Sequence, residues 1–460
     1  MENVGDRYWV PACIKDYLRR RGWRLALDDM EPHIRAWDDW MRARGDFYDY
    51  RDTDSLGRAY EVHRRTIMPA MRVCREWGSL LLNEKTCVSC SDQAATDWLE
   101  SFFSSCDFWG RAQETVARAF GLGTGAFALW LDVSRRLVRI RHYDARMVVP
   151  LCWDADGIRE CAFVTRAFTK GAAVDQLQMH VLDDDGTYRI ESACFDMEGN
   201  EVAVPGVADA IQTGSTFPTF GILRPAVPNT RADMSPYGQS IFADAVDAIQ
   251  SVDLCFDALM NEVDAGKMRV FLSDVLFETE RDSNGLRVAI PFGKRDCTVF
   301  RKVMSTEDTI HEFAPQLRTD SQAKALRLAL QVLGDLCGLG LSYFDFDSTG
   351  YIKTATEVSS DNSALMRNIK KNENAISGAI TDVAHATLAC ARMLGEQIPD
   401  EGDVAIQFDD SIVQDTDAEK KRDMTEVAAG LMLPWEYRVK WYGEDEATAK
   451  LQSANVPGHA

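Results

Sequence analysis

Long apolar runs and basic charge are both scarce in this sequence of 460 residues. No apolar run approaches the roughly 20 residues that cross a bilayer, and the N-terminal stretch lacks the uninterrupted apolar segment of a secretory signal. Lys and Arg number 51 against 72 Asp and Glu, so the formal net charge is -21. Because phosphate neutralisation needs the opposite balance, we expect a soluble, cytosol-made chain with no membrane partner and only loose contact with DNA.

Motifs for nucleotide, metal or redox chemistry are also missing. The 12 cysteines are scattered, and the one C-x-x-C pair, Cys87 and Cys90, has no second pair or histidine cluster at zinc-ligand spacing. The Gly-Lys pairs at 266–267 and 293–294 lack the other residues of a phosphate-binding loop. We therefore expect buried thiols, no catalytic residue, no metal and no cofactor.

Helical and strand periodicities are both present, which predicts an α+β fold. Apolar residues recur at helical spacing over residues 32–83, and Asp92 is placed to cap a further helix. Alternating patterns with turns at 154–157 and 183–186 predict an antiparallel sheet over residues 125–222. The glycines at 121–125 either cradle a phosphate or, as we favour, mark the turn from helix to strand.

Residues 239–265 form a predicted amphipathic helix about 40 Å long. Its acidic residues face no Lys or Arg before Lys267, so contacts along the helix are repulsive or neutral rather than ion-paired. This acidic face is either simply solvated or functional. The acids singled out are Asp244, Asp247, Asp253 and Asp257, and the apolar stripe consists of Ile241, Ala245, Val252, Phe256, Leu259 and Val263.

Short strands are predicted next, at 269–272 and 286–290, on either side of an Asn-Gly turn. A basic cluster follows, made of Lys294, Arg295, Arg301 and Lys302. Capping boxes at Thr319 and Thr354 predict two helices, the second of which is near 40 residues long and ends near Leu394. Between them lies a loop with Tyr343, Phe344, Asp345, Phe346, Asp347 and Lys353. A strand at 404–408 and short helices at 418–430 and 434–452 complete the chain.

Seven short segments occur in a fixed order between about residues 60 and 440. They are 77–85 (WGSLLLNEK), 150–153 with 160–163 (PLCW, ECAF), 235–240 (SPYGQS), 261–262 through 266–269 (NE, GKMR), 337–340 (CGLG), 353–358 (KTATEV) and 408–411 (FDDS). In order and coverage they resemble the portal, or head-to-tail connector, proteins of tailed double-stranded DNA bacteriophages.

The resemblance implies an arrangement of named parts along the chain. Residues 1–230 with the long helix 355–395 resemble the wing, with the sheet 125–222 inside it. Residues 231–266 and 317–337 resemble the two stem helices, 267–316 the clip, 338–354 the tunnel loop and 396–460 the crown. Leu433, Trp435 and Trp441 depart from the pattern because they are bulkier than expected for a crown.

The resemblance also implies partners and a location. The expected assembly is a ring of twelve copies at one capsid vertex of the virion, assembled in the host cytoplasm. It would contact the terminase large subunit, head-completion or adaptor proteins, and the major capsid and scaffolding proteins. Double-stranded DNA would pass through the ring without tight binding.

These implications give the sequence features roles that can be tested. We expect channel-facing residues among Asp244, Asp247, Asp253 and Asp257, with the apolar stripe packed between subunits. The aromatic loop either seals around DNA or packs on the neighbouring subunit's long helix. The basic cluster meets an acidic partner, meets DNA, or is solvated.

Two other classes of protein compete with this interpretation. A metal-dependent nuclease would use Asp345, Asp347 and Glu357, or Asp409 and Asp410, but the sequence offers no basic cleft or ligand spacing for it. A capsid protein without a DNA tunnel differs in assembly rather than chemistry. We therefore expect a structural protein and not an enzyme.

Overall fold

The computed structural model describes most of the chain. The described residues are 8–53, 57–83, 85–169, 172–266, 269–273, 279–281, 287–289, 299–302, 311–313, 316–344, 355–408, 416–428, 431–442, 444 and 446–454. Helices and antiparallel sheets both contribute to the body, which confirms the predicted α+β class.

The N-terminal part is helical except for one hairpin and one short strand. Its elements are α1 (Ala12–Arg20), α2 (Leu27–Met41), β1 (Asp49–Thr53), β2 (Ala59–His63), α3 (Pro69–Leu81), β3 (Cys87–Cys90), α4 (Gln93–Ser105) and α5 (Phe108–Leu122). The prediction of helix across residues 32–83 is therefore wrong for β1 and β2, where Tyr50 opposite Val62 gives a β-prone cross-strand pair. The predicted cap of α4 is confirmed, since the Asp92 carboxylate accepts the Ala95 N–H at 3.0 Å.

Two antiparallel sheets follow, which we call the β module. Its strands are β4 (Gly125–Asp132), β5 (Leu137–Asp144), β6 (Val148–Asp154), β7 (Gly157–Thr169), β8 (Ala172–Leu182), β9 (Tyr188–Phe195), β10 (Ala210–Gln212) and β11 (Phe220–Leu223). Strand orders are β10-β9-β8-β7-β6 and β11-β4-β5. The predicted antiparallel sheet and both of its turns are confirmed. Phe163, Tyr143 and Phe220 pack together in a small apolar core of the module.

The glycine cluster before β4 lies at the turn from helix to strand, as favoured from the sequence. Gly123 ends α5 with a φ of 82°, a left-handed conformation that favours glycine. A Cβ atom there would lie 2.5 Å from the carbonyl oxygen of Gly238. The missing side chain therefore lets the two backbones meet.

Helix α6 (Val246–Ala265) begins later than the predicted residue 239. The Ile241 N–H donates to the Phe120 carbonyl at 2.8 Å, and the Gln239 side chain accepts from the Thr230 N–H at 3.0 Å. These contacts fix the preceding residues as turns against the end of α5. The prediction of one continuous helix from Gln239 is corrected accordingly.

Short strands separate α6 from the next helix. They are β12 (Arg269–Ser273), β13 (Thr279–Arg281), β14 (Arg287–Ala289), β15 (Val299–Lys302) and β16 (His311–Phe313). The predicted pairing of 269–272 with 286–290 is wrong, because β14 pairs with its close sequence neighbour β13 while β12 pairs with β15 and β16.

Helix α7 (Thr319–Leu336) has a different cap from the predicted one. Thr319 is already helical and Arg318 is the N-cap residue, with no cap from its own side chain. Instead, a carboxylate of α6 binds a backbone N–H at this end of α7, because Glu262 Oε1 accepts a hydrogen bond from the Arg318 N–H at 3.0 Å. The capping-box prediction at Thr319 is therefore wrong.

The chain ends with a very long helix, a strand and three short helices. They are α8 (Ala355–Met393), β17 (Val404–Gln407), α9 (Thr416–Ala428), α10 (Pro434–Tyr442) and α11 (Glu446–Ala454). The 39 residues of α8 confirm the predicted long helix, whose capping residue Thr354 lies outside the described residues. β17 pairs with β3 and Ile398 is buried, so residues 398–408 belong to the main body and a separate C-terminal unit begins only after them.

One large apolar core joins α1–α5, much of the β module and α6–α8, with Trp77, Phe120 and Phe127 fully buried. Every cysteine in the described part of the chain is a free thiol. None of the helices described here combines the length and apolarity of a membrane span.

Candidate functional site

The two helices α6 and α7 form an antiparallel pair, joined where α6 ends and α7 begins. Arg318 Nη2 donates to Glu262 Oε2 at 2.8 Å and Arg318 Nε donates to Oε1 at 3.1 Å. A Cβ atom on Gly266 would meet the Leu317 side chain, so these two residues are in close contact. The pair is therefore closed at this end by a bidentate ion pair and a tight apolar contact.

The acids of α6 are paired with bases that lie far away in the sequence. Arg65 Nη2 lies 2.6 Å from Asp264 Oδ2, and Arg64 Nη1 lies 3.8 Å from Asp257 Oδ2. These arginines belong to residues 64–67, which run along α6 just before α3. The prediction that these acids lack ion pairs along the helix itself agrees with the described contacts, but tertiary contacts supply the bases that the helix lacks.

The carboxylate of Asp253 on α6 is fully buried and accepts three hydrogen bonds. It accepts hydrogen bonds from Tyr48 Oη at 2.7 Å, from Thr66 Oγ1 at 2.8 Å and from the Ile67 N–H at 3.0 Å. Burial raises the pKa of Asp253, although these hydrogen bonds act in the opposite direction. Because it is buried in the subunit, Asp253 is not one of the channel-facing residues expected among the four acids; it fastens α6 to the body of its own subunit.

The other three predicted channel acids differ in how freely they meet solvent. Asp244 lies before α6 and is exposed, but Arg231 Nη2 at 2.7 Å and Gln239 Nε2 at 2.8 Å hold its carboxylate. Asp257 is mostly buried beside Arg64. Asp247 is exposed, and its carboxylate has no ion pair or hydrogen bond within the described chain. Asp247 therefore best fits the predicted role, which stays a prediction.

An apolar stripe lies on the outside of this helix pair, mostly on α7. Leu328, Val332 and Leu336 recur at intervals of four residues, and Leu328 is 62% exposed. By contrast, Ile241, Ala245 and Val252 of the predicted α6 stripe are buried within the subunit. The surface available to a neighbour is thus carried by α7 more than by α6.

The residues after α7 are held firmly by α3 and α8. Trp77 Nε1 donates to the Cys337 carbonyl at 3.0 Å, and Asn368 Nδ2 donates to the Gly338 carbonyl at 2.8 Å. Tyr343 Oη donates to Glu76 Oε2 at 2.7 Å, and burial together with this carboxylate raises the pKa of Tyr343. These contacts fix the start of the predicted loop.

Phe344 is buried in the same subunit, with the Arg72 guanidinium 5.2 Å from its ring centre. Phe344 therefore packs within its own subunit, while Tyr343 is partly buried and bonded to Glu76; the expected roles of the loop stay predictions. The remaining loop residues of interest lie outside the described residues; they are Asp345, Phe346, Asp347 and Lys353.

The predicted basic cluster is described only in part. Arg301 and Lys302 end β15, where they pair in register with Leu272 and Ser273 of the parallel strand β12. Their side chains, like all of Lys294 and Arg295, lie outside the described part. The role of this cluster stays a prediction.

Most of the carboxylates that the nuclease alternative requires lie in parts of the chain that the structure does not describe. Asp345, Asp347, Asp409 and Asp410 lie outside the described residues, as does the side chain of Glu357. Where side chains are described, no three His, Cys, Asp or Glu residues come together as a metal site would require.

Sequence reasoning missed the residues that anchor this region, namely Arg64, Arg65, Glu76, Trp77 and Arg231. The paired arginines just before Pro69 are the only local signal among them. Their partners on α6 lie far away in the chain, with a separation of 199 residues between Arg65 and Asp264. No local pattern could have identified such contacts.

Comparisons with known proteins add little to this picture. No protein-family model and no curated protein matches the sequence. Among solved structures, it is similar to a chain in the neck of a native gene transfer agent particle computed with C12 symmetry, at 12% identity and TM-score 0.39 over 81% of this chain and 89% of that one. It is also similar to a chain in the neck of an empty gene transfer agent particle computed with C6 symmetry, at 12% identity and TM-score 0.39 over 81% of this chain and 88% of that one. A third similar chain belongs to the virion of the native gene transfer agent particle, at 12% identity and TM-score 0.36 over 81% of this chain and 87% of that one. At these TM-scores the likeness does not establish a shared fold.

Proposed function

We propose that this protein is a portal, or head-to-tail connector, protein of tailed double-stranded DNA bacteriophages. Copies would form a ring at one capsid vertex, and DNA would pass along its axis during packaging and ejection. The observation that carries the proposal is the antiparallel pair α6–α7, whose stripe Leu328, Val332 and Leu336 stays uncovered in the single subunit. Such a stripe needs a cover, and contacts repeated between identical copies by rotation close into a ring.

The charge of the chain supports a passage that does not hold DNA. A ring of twelve would carry about 250 formal negative charges, twelve times the -21 of one chain. A basic lining would release counterions at each neutralised phosphate and so retain the DNA. The exposed carboxylate of Asp247 is the α6 group that best suits such a lining.

The other elements take roles in the same scheme. Helices α6 and α7 form the stem, and strands β12–β16 form the clip that meets the terminase large subunit and later the adaptor proteins. Residues 338–354 form the tunnel loop, whose first part is fastened by the hydrogen bond from Tyr343 to Glu76. The body with α8 forms the wing, toward the capsid and scaffolding proteins, and α9–α11 form the crown.

This role is structural and not enzymatic. Purified protein incubated with linear double-stranded DNA and Mg²⁺ should leave the DNA intact. Progressive cleavage that EDTA abolishes would favour the nuclease instead.

The direct test of the proposal is the assembly state of the purified full-length chain. Native mass measurement with negative-stain imaging should find rings of twelve or thirteen copies with an axial hole. A compact monomer at high concentration under assembly conditions would overturn the proposal.

A further inference from the structure

The C-terminal helices α9, α10 and α11 form a unit with a polar interior, which we call the C-terminal unit. Asp423 is buried and accepts hydrogen bonds from Lys440 Nζ at 2.7 Å and from Trp441 Nε1 at 2.9 Å. None of the residues of α10 is buried, although it carries four aromatic side chains. A charged contact rather than an apolar core therefore joins α9 to α10.

Large apolar side chains lie on the outside of the same unit. Leu431 is 82% exposed and Leu451 is 69% exposed, while Met424, Leu433 and Tyr442 are each more than half exposed. Single exposed apolar residues are ordinary on a protein surface, but this many within one small unit give it a large share of apolar surface that water disfavours. The bulky crown residues that depart from the portal pattern belong to this same stretch.

We propose that this surface packs against the C-terminal unit of the neighbouring copy in the ring, an inference that rests on the proposed function. Charge favours a second copy over nucleic acid as the occupant. Residues 416–454 contain eight Asp and Glu and six Lys and Arg, so the unit is nearly neutral within a chain of net charge -21. Identical units can therefore approach each other with little of the repulsion that the rest of the chain carries.

The distribution of charge within the unit also suits a contact between unlike faces. The sequence has three bases at 420–422 (KKR) and three acids at 444–446 (EDE). Within the subunit Arg438 Nη2 already holds Glu444 at 2.7 Å, and Lys420 lies over the rings of Trp441 and Tyr442. The proposed contact therefore uses Arg422 and its neighbour Lys421 on one side and Asp445 and Glu446 on the other. Arg422 is two-thirds exposed, and the carboxylate oxygens of Asp423 and Glu426 lie 3.9 and 3.8 Å from its Nε, too far for strong hydrogen bonds. In a ring each interface joins two different faces, so the basic run of one copy can meet the acidic run of the next.

The first test removes the apolar contact. Full-length Leu431→Gln/Leu451→Gln is compared with the wild type by mass photometry of rings during dilution. Burial of two leucines predicts that the concentration at half-dissociation rises about tenfold or more. The control is Phe168→Gln, which changes an 80% exposed apolar residue on β7 and should shift that concentration less than about twofold.

The second test reverses the charges and then restores them. Lys421→Glu/Arg422→Glu and Asp445→Lys/Glu446→Lys should each loosen the ring, and the combination of all four changes should restore much of the lost affinity. Far-UV circular dichroism and thermal melting identify variants that fail to fold, and the two sets of variants are independent of each other.

Three outcomes overturn the inference. In the first, the rings of both the leucine variant and the charge variants dissociate at the wild-type concentration. In the second, the rings of the variant with all four charge changes dissociate as easily as those of the two parent variants. The third is that charge reversal changes only the binding of a labelled 30-base-pair DNA, which would make nucleic acid the occupant. In each case wild-type rings persist and the proposed function stands, whereas a wild type without rings overturns both.

Discussion

The β module and the α6–α7 pair differ in how much of their apolar surface is buried within one subunit. The module buries Phe163, Tyr143 and Phe220 against each other within one subunit. The helix pair leaves Leu328, Val332 and Leu336 on its outside, and ion pairs with Arg64 and Arg65 fasten α6 to the body. The contrast teaches that the first region covers its apolar surface within one subunit, while the second leaves such surface exposed, as the proposed ring requires.

The largest expected effect comes from the core of the β module. Phe163→Ala removes a fully buried ring and should lower the free energy of unfolding of the unassembled subunit by about 3–5 kcal/mol. Leu328→Ala, a matched truncation on the stripe, should cost less than about 0.5 kcal/mol in the subunit yet weaken the ring. Urea denaturation at low protein concentration measures the first quantity, and native mass measurement follows the ring. Equal subunit destabilisation by the two changes would erase the contrast.

The second effect concerns how α6 is fastened to the body. Asp253→Ala leaves the Tyr48 hydroxyl, the Thr66 hydroxyl and the Ile67 N–H without their acceptor and should cost about 3 kcal/mol or more. Asp247→Ala is the control on the same helix and should change subunit stability by less than about 0.5 kcal/mol. Thermal denaturation of both variants measures the difference. A harmless Asp253→Ala would show that the helix is not fastened there.

The same residue gives a dependence on pH whose sign is fixed by its raised pKa. The folded state holds the Asp253 proton more tightly than the unfolded chain does, so this residue favours the fold at low pH. That contribution falls as the pH rises from the ordinary Asp value of 3.8 through the raised pKa. Asp253→Asn should lack this component, and urea midpoints across the acid range would reveal it. An unchanged profile would contradict the assignment.

A smaller effect is expected at the start of the loop after α7. Tyr343→Phe removes one hydrogen bond to Glu76 and should cost about 1 kcal/mol. Amide hydrogen exchange should speed up over residues 337–344 while the β module stays protected. Tyr442→Phe alters an exposed hydroxyl on α10 and serves as the control. Unchanged exchange in Tyr343→Phe would mean that the loop is fixed by other contacts.

The smallest effect belongs to the ion pair that closes the α6–α7 pair, between the exposed Arg318 and the largely buried Glu262. Hydrogen bonds from Arg318 lower the pKa of Glu262 from 4.5 to about 2. The stabilisation is present above the ordinary value and disappears as the pH falls through the lowered one. Arg318→Gln should therefore flatten the loss of stability on acidification, as followed by urea midpoints, while an identical profile would show that the pair contributes nothing. Arg20→Gln, an exposed arginine elsewhere, is the control.

The two regions also differ in how well the sequence predicts them. Alternating strands and Asp- and Gly-rich turns are local signals, so the β module and its turns at 154–157 and 183–186 are predicted correctly. The hairpin β1–β2 is missed because the surrounding helical periodicity outweighs a short charged segment. The pairing of β12 is missed because its partners are distant in sequence.

The candidate site is predicted less well, for the same physical reason. The acidity of α6 is evident from the sequence, but its neutralisation by Arg64, Arg65 and Arg318 depends on tertiary contacts. The burial of Asp253 depends on Tyr48, about 200 residues away. Composition therefore indicates an acidic helix, whereas only the folded chain separates a structural carboxylate such as Asp253 from a free one such as Asp247.

The measurement that bears most directly on the central claim is a cryo-electron microscopy map of the assembled full-length protein at side-chain resolution. We predict a closed ring in which Asp247 of every copy faces an acidic lumen and the stripe of α7 is covered by the adjacent subunit. A lumen lined by Arg and Lys, or an α7 stripe left open to solvent in the assembly, would contradict it.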